Sequence, residues 1–182
     1  MDAPATDPLA THRALLEKWR GAMDLVGPGP LDPHFDDAMA AVRDLDARGE
    51  WADLGSGAGF PGIALAVAYP AARVRLVERR EKRATFLEEV VAQTRLENAF
   101  VWRGDAKDLD ANAFDGVVSR AYRPPFEMLA EGRRLLKPGG LLVLLLAREA
   151  PPVAPEFPVF HVERYAVEGR PRQAVALRFE PR

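Results

Sequence analysis

One ten-residue stretch, from Asp53 to Gly62, constrains the fold of this chain more than any other feature. Its sequence is Asp-Leu-Gly-Ser-Gly-Ala-Gly-Phe-Pro-Gly, with glycines at alternate positions 55, 57 and 59. The apolar residues before it are typical of the end of a buried strand, and those at 63–67 are typical of a helix. Glycines in such a turn let the backbone approach a ligand closely at a helix N-terminus. The stretch therefore predicts a strand–turn–helix unit whose turn holds a nucleoside-type cofactor.

The spacing of the glycines bears on which cofactor this is. A dinucleotide site requires Gly-x-Gly-x-x-Gly. Counted from Gly55 this pattern fails, because position 60 is Phe; counted from Gly57 it is satisfied by Gly59 and Gly62. The second register leaves Asp53 without a role and places a proline inside the phosphate turn. A turn that binds nothing is a further alternative, although it would not need so costly a cluster of glycines.

The pattern Asp-x-Gly-x-Gly-x-Gly resembles motif I of the S-adenosylmethionine-dependent methyltransferases. In those enzymes the acid and the amides of the loop face the methionine end of the cofactor. The resemblance therefore implies S-adenosylmethionine as cofactor, bound by Asp53, Gly55, Ser56, Gly57 and Gly59.

A second acid, Glu78, ends the alternating run 73–78, and it follows 25 residues after Asp53. In an open α/β sheet this next strand ends beside the first, at the edge where ligands bind. A carboxylate there can accept hydrogen bonds from both ribose hydroxyls. The alternative is a surface acid paired with Arg79 or Arg80.

A third landmark, Asp105-Ala106, follows the apolar run 100–102. In methyltransferases of this fold the acid at this place commonly accepts a hydrogen bond from the adenine amino group, and the next amide meets a ring nitrogen. We assign these roles to Asp105 and Ala106. The alternative is that Asp105 caps the segment that follows it.

Length and composition favour one domain over residues 1–182, with residues 1–48 as a helical extension packed on it. The chain has 182 residues, of which 48% are hydrophobic, and it has no cysteine. Its three histidines are scattered, which argues against a metal site. The start of the chain is acidic and proline-rich, unlike a signal peptide, and no apolar run is long enough to span a membrane. We expect a cytoplasmic protein without a membrane partner.

The order of patterns predicts an α/β fold: a Rossmann-like, doubly wound, mostly parallel sheet with a C-terminal antiparallel hairpin, preceded by a short N-terminal helical segment. Helices are expected over 9–26, 33–47 and 80–96, and after Pro125, where Phe126 and the following leucines should be buried. A turn is expected at 137–140, a fifth strand at 141–146, and a hairpin at 159–167 and 173–179.

Basic residues are concentrated in two segments, 73–107 and 120–137, each with three more basic than acidic groups. A basic face can hold phosphates, although ordinary solvated helix surface is the simpler interpretation for most of these residues. Arg120 and Arg123 differ, because they follow a predicted fourth strand at 114–119 and so lie at the same edge as the glycine loop. We predict that they orient cofactor or substrate; an ion pair between Arg120 and Asp53 is the structural alternative.

Three segments are similar to the bacterial small-subunit (16S) ribosomal RNA methyltransferase G family, also called glucose-inhibited division protein B. They are Asp-Leu-Gly-Ser-Gly-Ala-Gly-Phe-Pro-Gly at 53–62, the run from Glu78 to Val90, and Phe-Asp-Gly-Val-Val-Ser-Arg-Ala at 114–121. The similarity covers about 18–146. It implies a class I methyltransferase that methylates N7 of a guanine in 16S ribosomal RNA, with S-adenosylmethionine as cofactor and the small ribosomal subunit or its RNA as partner. By resemblance, Gly55, Phe60, Ala106 and Arg120 fall on cofactor-binding positions.

The chain departs from this family at positions expected to meet RNA. Arg20 and Gly21 replace the Asn and Lys of an N-terminal motif, Lys107 replaces a Glu, and Arg148 stands where the family has Gly. These differences concern the substrate more than the cofactor.

The expected chemistry needs few groups. Guanine N7 has an available lone pair and no proton to remove, so positioning supplies most of the rate and we assign no catalytic residue. The Asn-Pro-Pro-Tyr signature of amino-group methyltransferases is absent after strand four. The hypotheses are a monomeric ribosomal RNA guanine-N7 methyltransferase, a related enzyme for another RNA or a small molecule, and an inactive cofactor-binding relative.

Overall fold

The computed structural model describes residues 7–147 and 149–181. The acidic start of the chain, residues 1–6, and the departure at Arg148 lie outside the described residues.

Five helices and seven strands make up the described part of the chain. The helices are α1 Pro8–Met23, α2 Asp32–Ala41, α3 Gly62–Ala68, α4 Glu81–Thr94 and α5 Pro125–Leu135. The strands are β1 Gly49–Leu54, β2 Ala72–Glu78, β3 Ala99–Arg103, β4 Phe114–Arg120, β5 Leu136–Leu146, β6 Val159–Val167 and β7 Arg170–Arg178. A single 3₁₀ turn, Ala106–Asp108, follows β3.

All seven strands join one sheet in the order β3-β2-β1-β4-β5-β7-β6. The pairs among β1 to β5 are parallel, and β7 pairs antiparallel with both β5 and β6. The predicted doubly wound sheet with a C-terminal hairpin is confirmed. Because strand order reverses between β1 and β4, the crevice for a ligand opens at the carboxyl ends of these strands.

Two apolar layers pack against the sheet, one on each face. Helices α1, α3 and α4 pack on one face, around side chains such as Leu16, Leu65 and Phe86. Helix α5 packs on the other face, where Met128 and Leu129 meet Leu142 and Val175. Residues of β1, β2 and β4 pack into both layers. The carboxyl edge of these strands is therefore supported from both faces of the sheet.

Both N-terminal helices are shorter than predicted. The first ends at Met23, because Asp24 adopts a left-handed conformation with φ +49°. The second ends at Ala41 rather than at 47, since Asp44 and Asp46 also have positive φ and cannot continue a helix.

The prediction that Phe126 is buried was wrong, since 73% of it is exposed. Helix α5 buries Met128, Leu129, Gly132 and Leu135. At 100° per residue, Phe126 lies roughly 130° around the axis from the middle of that face.

The turn predicted at 137–140 was also wrong, because β5 begins at Leu136 and runs through it. A register shift between Phe114 and Gly116 of β4 accommodates the extra residues. Gly139 and Gly140 exchange backbone hydrogen bonds with Phe179, which extends the contact with the C-terminal end of the chain.

Candidate active site

Asp53 anchors the glycine loop, residues 55–61 between β1 and α3, through hydrogen bonds at both ends of the loop. Asp53 is fully buried, and its Oδ2 accepts hydrogen bonds from Ser56 Oγ at 2.6 Å and from the Gly62 amide at 3.0 Å. The amide of Ser56 donates to the carbonyl of Val77 at 3.0 Å, which ties the loop to β2. Acid, hydroxyl and amides therefore fix the path of the loop.

Three glycines of this loop, at 55, 57 and 59, have positive φ. A Cβ at Gly55 would lie 2.6 Å from Tyr122 Cδ2, and one at Gly59 would lie 2.9 Å from Ile63. At Gly57 the nearest atom would be 3.6 Å away, which is ordinary contact. The expected close approach of a ligand to the backbone is therefore possible at Gly57, whereas Gly55 and Gly59 are required by packing within the protein.

The second oxygen of Asp53, Oδ1, is buried and has no hydrogen-bond partner among the described residues. Burial raises the pKa of Asp53 to about 6, against the opposing effect of its bonds to Ser56 and Gly62. The alternative ion pair with Arg120 is not formed: Arg120 Nη1 lies 3.7 Å from Asp37 Oδ2 instead. A desolvated carboxylate with one unused oxygen is suited to a cationic partner, because pairing would offset its desolvation.

Glu78 lies at the end of β2 and is 6% exposed. Its Oε2 accepts from the amide of Gly57 at 3.1 Å, and its Oε1 accepts from the amide of Arg80 at 2.8 Å. These backbone bonds orient the carboxylate beneath the glycine loop. Each oxygen keeps a second lone pair for a hydroxyl donor.

A cavity of about 210 Å³ opens above Glu78 at the carboxyl edge of the sheet. The predicted residues Gly55, Glu78, Asp105 and Ala106 line it together. Asp105 also accepts from the amide of Lys107 at 3.1 Å, so the alternative role of capping the following 3₁₀ turn is present as well. The structure brings these four predicted residues, from three separate loops, to one cavity. The remaining predicted residues lie outside its lining: Asp53, Ser56, Gly57, Gly59, Phe60, Arg120 and Arg123.

Arg120 connects the glycine loop to the N-terminal part of the chain. Its guanidinium lies 4.8 Å from the centre of the Phe60 ring. Asp37 of α2 pairs with it and also accepts a hydrogen bond from the hydroxyl of Tyr165 at 2.9 Å. Burial lowers the pKa of Arg120, although Asp37 and Asp53 oppose this effect. The arginine thus supports the loop from the side that faces α2 and β6.

Sequence reasoning missed Tyr122 and Ala121, which line the cavity directly after β4. Ala121 has φ +57°, which turns the chain back over the sheet, and the ring of Tyr122 packs against Gly55. No local pattern indicates this turn, because Ala carries no preference for a left-handed conformation. Arg123, next in the chain, is exposed and lies 3.6 Å from both Glu127 and Glu131.

A second cavity, of about 300 Å³, lies on the other side of Ala121 and Tyr122. The ends of β4 and β5 form its floor, and Pro124, Pro125 and Met128 form an apolar wall. Because Ala121 and Tyr122 line both cavities, the two cavities lie next to each other at the carboxyl edge of the sheet.

Residues 8–151 match a protein family described as GidB, rRNA small subunit methyltransferase G. The chain belongs to this family. Among relatives of the same name, that of Stenotrophomonas maltophilia strain K279a is 38% identical over 152 residues, which cover 80% of this chain and 70% of the relative. The relative from Halorhodospira halophila is 33% identical over 175 residues, 94% of this chain and 83% of its own length. The resemblance to the methyltransferase G family is confirmed.

Solved structures share the fold of this methyltransferase G chain. P. horikoshii TYW2 in complex with MeSAdo has a TM-score of 0.64 at 16% identity, over 86% of this chain and 66% of that one. M. jannaschii TYW2 in complex with AdoMet also has a TM-score of 0.64 at 16% identity, over 82% and 77%. The predicted methyltransferase fold is confirmed.

The described part of the chain offers neither a metal site nor a membrane-spanning helix. That part contains no cluster of three or more His, Cys, Asp or Glu side chains able to hold a metal ion. None of its helices is long and apolar enough to cross a membrane.

Proposed function

We propose that this chain is an S-adenosylmethionine-dependent methyltransferase that modifies N7 of a guanine in 16S ribosomal RNA. The observation that carries the proposal is the match of residues 8–151 to the methyltransferase G family, a stretch that contains the glycine loop and both cavities. The family and its relatives are named for the RNA of the small ribosomal subunit, so that RNA, or the assembled subunit, is the proposed partner.

The residues present fit the cofactor. The buried, unpartnered Oδ1 of Asp53 offers a carboxylate to the ammonium group of the methionine part. Glu78 is held by two amides with lone pairs left for the ribose hydroxyls, and Asp105 and Ala106 lie across the same cavity for the adenine ring. The remaining residues proposed to hold the cofactor are Gly55, Ser56, Gly57, Gly59, Phe60 and Arg120. When bound, S-adenosylmethionine supplies an electrophilic methyl group on a sulfonium centre.

The larger cavity is the proposed place for the target base. It adjoins the cofactor cavity at Ala121 and Tyr122, and its apolar wall of Pro124, Pro125 and Met128 suits a flat ring removed from water. Arg123 stands exposed at its margin, where it can meet a phosphate. Arg120, which is engaged with Asp37 and Phe60, is the more suitable of the two arginines for holding the loop.

The chain's own residues have little proton transfer to perform. Guanine N7 attacks with a free lone pair, and no base has to remove a proton. Positioning two reactants in line supplies most of the rate in such a reaction. Tyr122 and the prolines therefore act by placing the base and excluding water, and no residue is assigned as a general base.

Methylation of purified small ribosomal subunits with a labelled methyl donor tests the proposal. We expect label in 16S ribosomal RNA, at one guanine that becomes sensitive to reduction and aniline cleavage, the reaction specific for N7-methylguanine. Label at another atom, on another RNA or on a small molecule would contradict the guanine-N7 assignment. Cofactor binding without turnover on any RNA would instead favour an inactive relative.

Arg123→Ala tests the RNA margin of the site. The salt dependence of RNA binding, plotted as log affinity against log salt, should lose about one unit of slope if Arg123 contacts one phosphate. Arg133, which pairs with Glu156, provides the matched control, and Arg133→Ala should leave the slope unchanged. An unaltered slope in Arg123→Ala would remove this residue from the RNA surface.

The same proposal includes a single domain, a monomeric state and action in the cytoplasm. Sedimentation of the purified chain at micromolar concentration should give a mass near 20.0 kDa. A mass of twice that value would contradict the monomer.

A further inference from the structure

A row of exposed aromatic and arginine side chains lies on β2 and β3, at one side of the sheet and outside the linings of both cavities. Parallel pairing aligns Arg75 of β2 with Phe100 of β3, so alternate residues Arg73, Arg75, Phe100 and Trp102 point to the same face. Phe100 is 42% and Trp102 36% exposed. These four residues are called the aromatic–arginine face below.

The face is exposed because the segment after β3 is short. Helices α3 and α4 pack on the opposite side of β2 and β3, where Val74 and Leu76 are fully buried. Residues 104–113, all of them described, contain one three-residue 3₁₀ turn between β3 and β4. A connection of this length does not cover the strands it leaves, so two large aromatic rings remain in contact with water.

Each ring of the face has a guanidinium beside it. The guanidinium carbon of Arg73 lies 4.9 Å from the centre of the Phe100 ring, and that of Arg75 lies 5.6 Å from Trp102. Glu50 of β1, 3.3 Å from Arg73, is the acid that borders them. Two arginines and one glutamate leave the face cationic, and the shallow cavity between them measures about 210 Å³.

We propose that the aromatic–arginine face binds a single-stranded segment of RNA. Rings and guanidinium planes are the groups on which unpaired bases stack, and arginines beside them neutralise the phosphates between those bases. A polyanion with flat apolar bases satisfies both features of the face at once. A protein partner would need acidic side chains to pair with the arginines and aromatic side chains to stack on the rings, in the same alternating order.

The face leads directly to the candidate active site. The indole of Trp102 lies over Gly104, where a Cβ would be 2.7 Å from Nε1. Gly104 and Asp105 line the cofactor cavity. A strand held on Phe100 and Trp102 therefore approaches the mouth of that cavity. This part of the inference rests on the proposed function, because it makes the bound segment a flank of the methylated RNA.

Binding of a fluorescent 12-nucleotide single-stranded RNA tests the face without any methyl transfer. Replacing both rings, Phe100→Ser with Trp102→Ser, should weaken binding about tenfold or more, the loss typical of removing stacked bases. Phe160→Ser is the matched control, because Phe160 is 48% exposed under the guanidinium of Arg178 but stands on β6 at the opposite edge of the sheet. The control should bind as the unaltered protein does. An unchanged affinity in the double variant, or an equal loss in the control, would overturn the proposal.

Photocrosslinking of the unaltered protein avoids any effect of substitution on folding. With 4-thiouridine in the same oligonucleotide, trypsin should release the crosslink on the peptide of residues 96–103, which contains both rings. Crosslinks confined to other peptides would contradict the proposal. Capture of a ribosomal protein by this face, with no RNA crosslink, would do so as well.

The proposed function and the proposed RNA-binding face can be contradicted independently of each other. If the face binds RNA but no RNA is methylated, the proposed function fails and the face stands. If small subunits are methylated with an unchanged KM in the double variant, the function stands and the face is a solvated edge stabilised by its own cation–π pairs.

Discussion

The glycine loop and the segment after β4 lie side by side at one edge of the sheet, yet they are built in opposite ways. Ser56 of the loop is buried and donates a hydrogen bond to Asp53, which is buried at the end of β1. In the segment 121–126, Arg123 and Phe126 are exposed, and Ala121 is held at a positive φ. The comparison shows that the loop is fixed by buried hydrogen bonds, while its neighbour exposes its side chains. In the proposed function the loop would present backbone to the cofactor and the segment after β4 would present side chains to the substrate.

The largest effect that we expect is a loss of folding stability at acidic pH. It arises from His12, which contacts the glycine loop. His12 is fully buried, with Nε2 2.7 Å from the carbonyl of Ala58, and burial lowers its pKa from 6.5 to about 4. Between these values the unfolded chain binds a proton that the folded protein does not, so stability falls as pH falls. The shift corresponds to about 3 kcal/mol.

The comparison of the unaltered protein with His12→Leu isolates this contribution, since other titrating groups cancel in the difference. Urea unfolding between pH 7 and pH 4 should show the unaltered protein losing stability relative to the variant. A constant difference in unfolding free energy between the two proteins across that range would show that His12 does not cause the loss of stability.

Glycines of the loop and of the helix start that follows it should differ in how they tolerate a side chain. A Cβ at Gly62 would lie 2.6 Å from Asp53 Oδ2 and 2.4 Å from Leu76, both buried. Gly62→Ala should therefore cost about 2 kcal/mol by overpacking. Gly57→Ala should cost about 1 kcal/mol, from backbone conformation alone. Equal costs in urea unfolding would contradict the packing described for the loop.

Cofactor affinity should depend on the protonation of Asp53. The pKa of Asp53, raised by burial to about 6, means that acidification below pH 6 adds a proton to the proposed partner of the cofactor ammonium. Affinity should then fall by up to about tenfold per pH unit. Calorimetry at pH 7, 6 and 5 measures this, and Asp53→Asn should bind weakly at all three. A pH-independent affinity would remove Asp53 from the cofactor site.

The smallest expected effect belongs to the exposed segment. Phe126→Ala should change stability by less than about 0.5 kcal/mol, because most of the ring is already exposed to water. Leu129→Ala, on the buried face of the same helix, should cost about 3 kcal/mol. A large loss for Phe126→Ala would show that its ring is buried in solution.

The sequence predicted what depends on local pattern. Alternation and apolar runs located the strands, and the glycines with Asp53 located the loop, because both are constrained by neighbours in the chain. It did not predict the partner of Arg120, since Asp37 lies on α2, far from β4 in the sequence. Nor did it predict that Tyr122 packs on Gly55, which depends on how the chain turns after β4. Phe126 was misplaced because its spacing from Leu129 resembles that of a buried row.

Calorimetric titration of S-adenosylmethionine into Gly57→Val shows whether the cofactor lies against the glycine loop. Gly169→Val is the matched control, because Gly169 has the same left-handed backbone and open surroundings, but lies in the β6–β7 turn. We expect Gly57→Val to lose cofactor binding and Gly169→Val to keep it, with both variants folded. Unchanged affinity in Gly57→Val would show that the cofactor does not lie against the glycine loop.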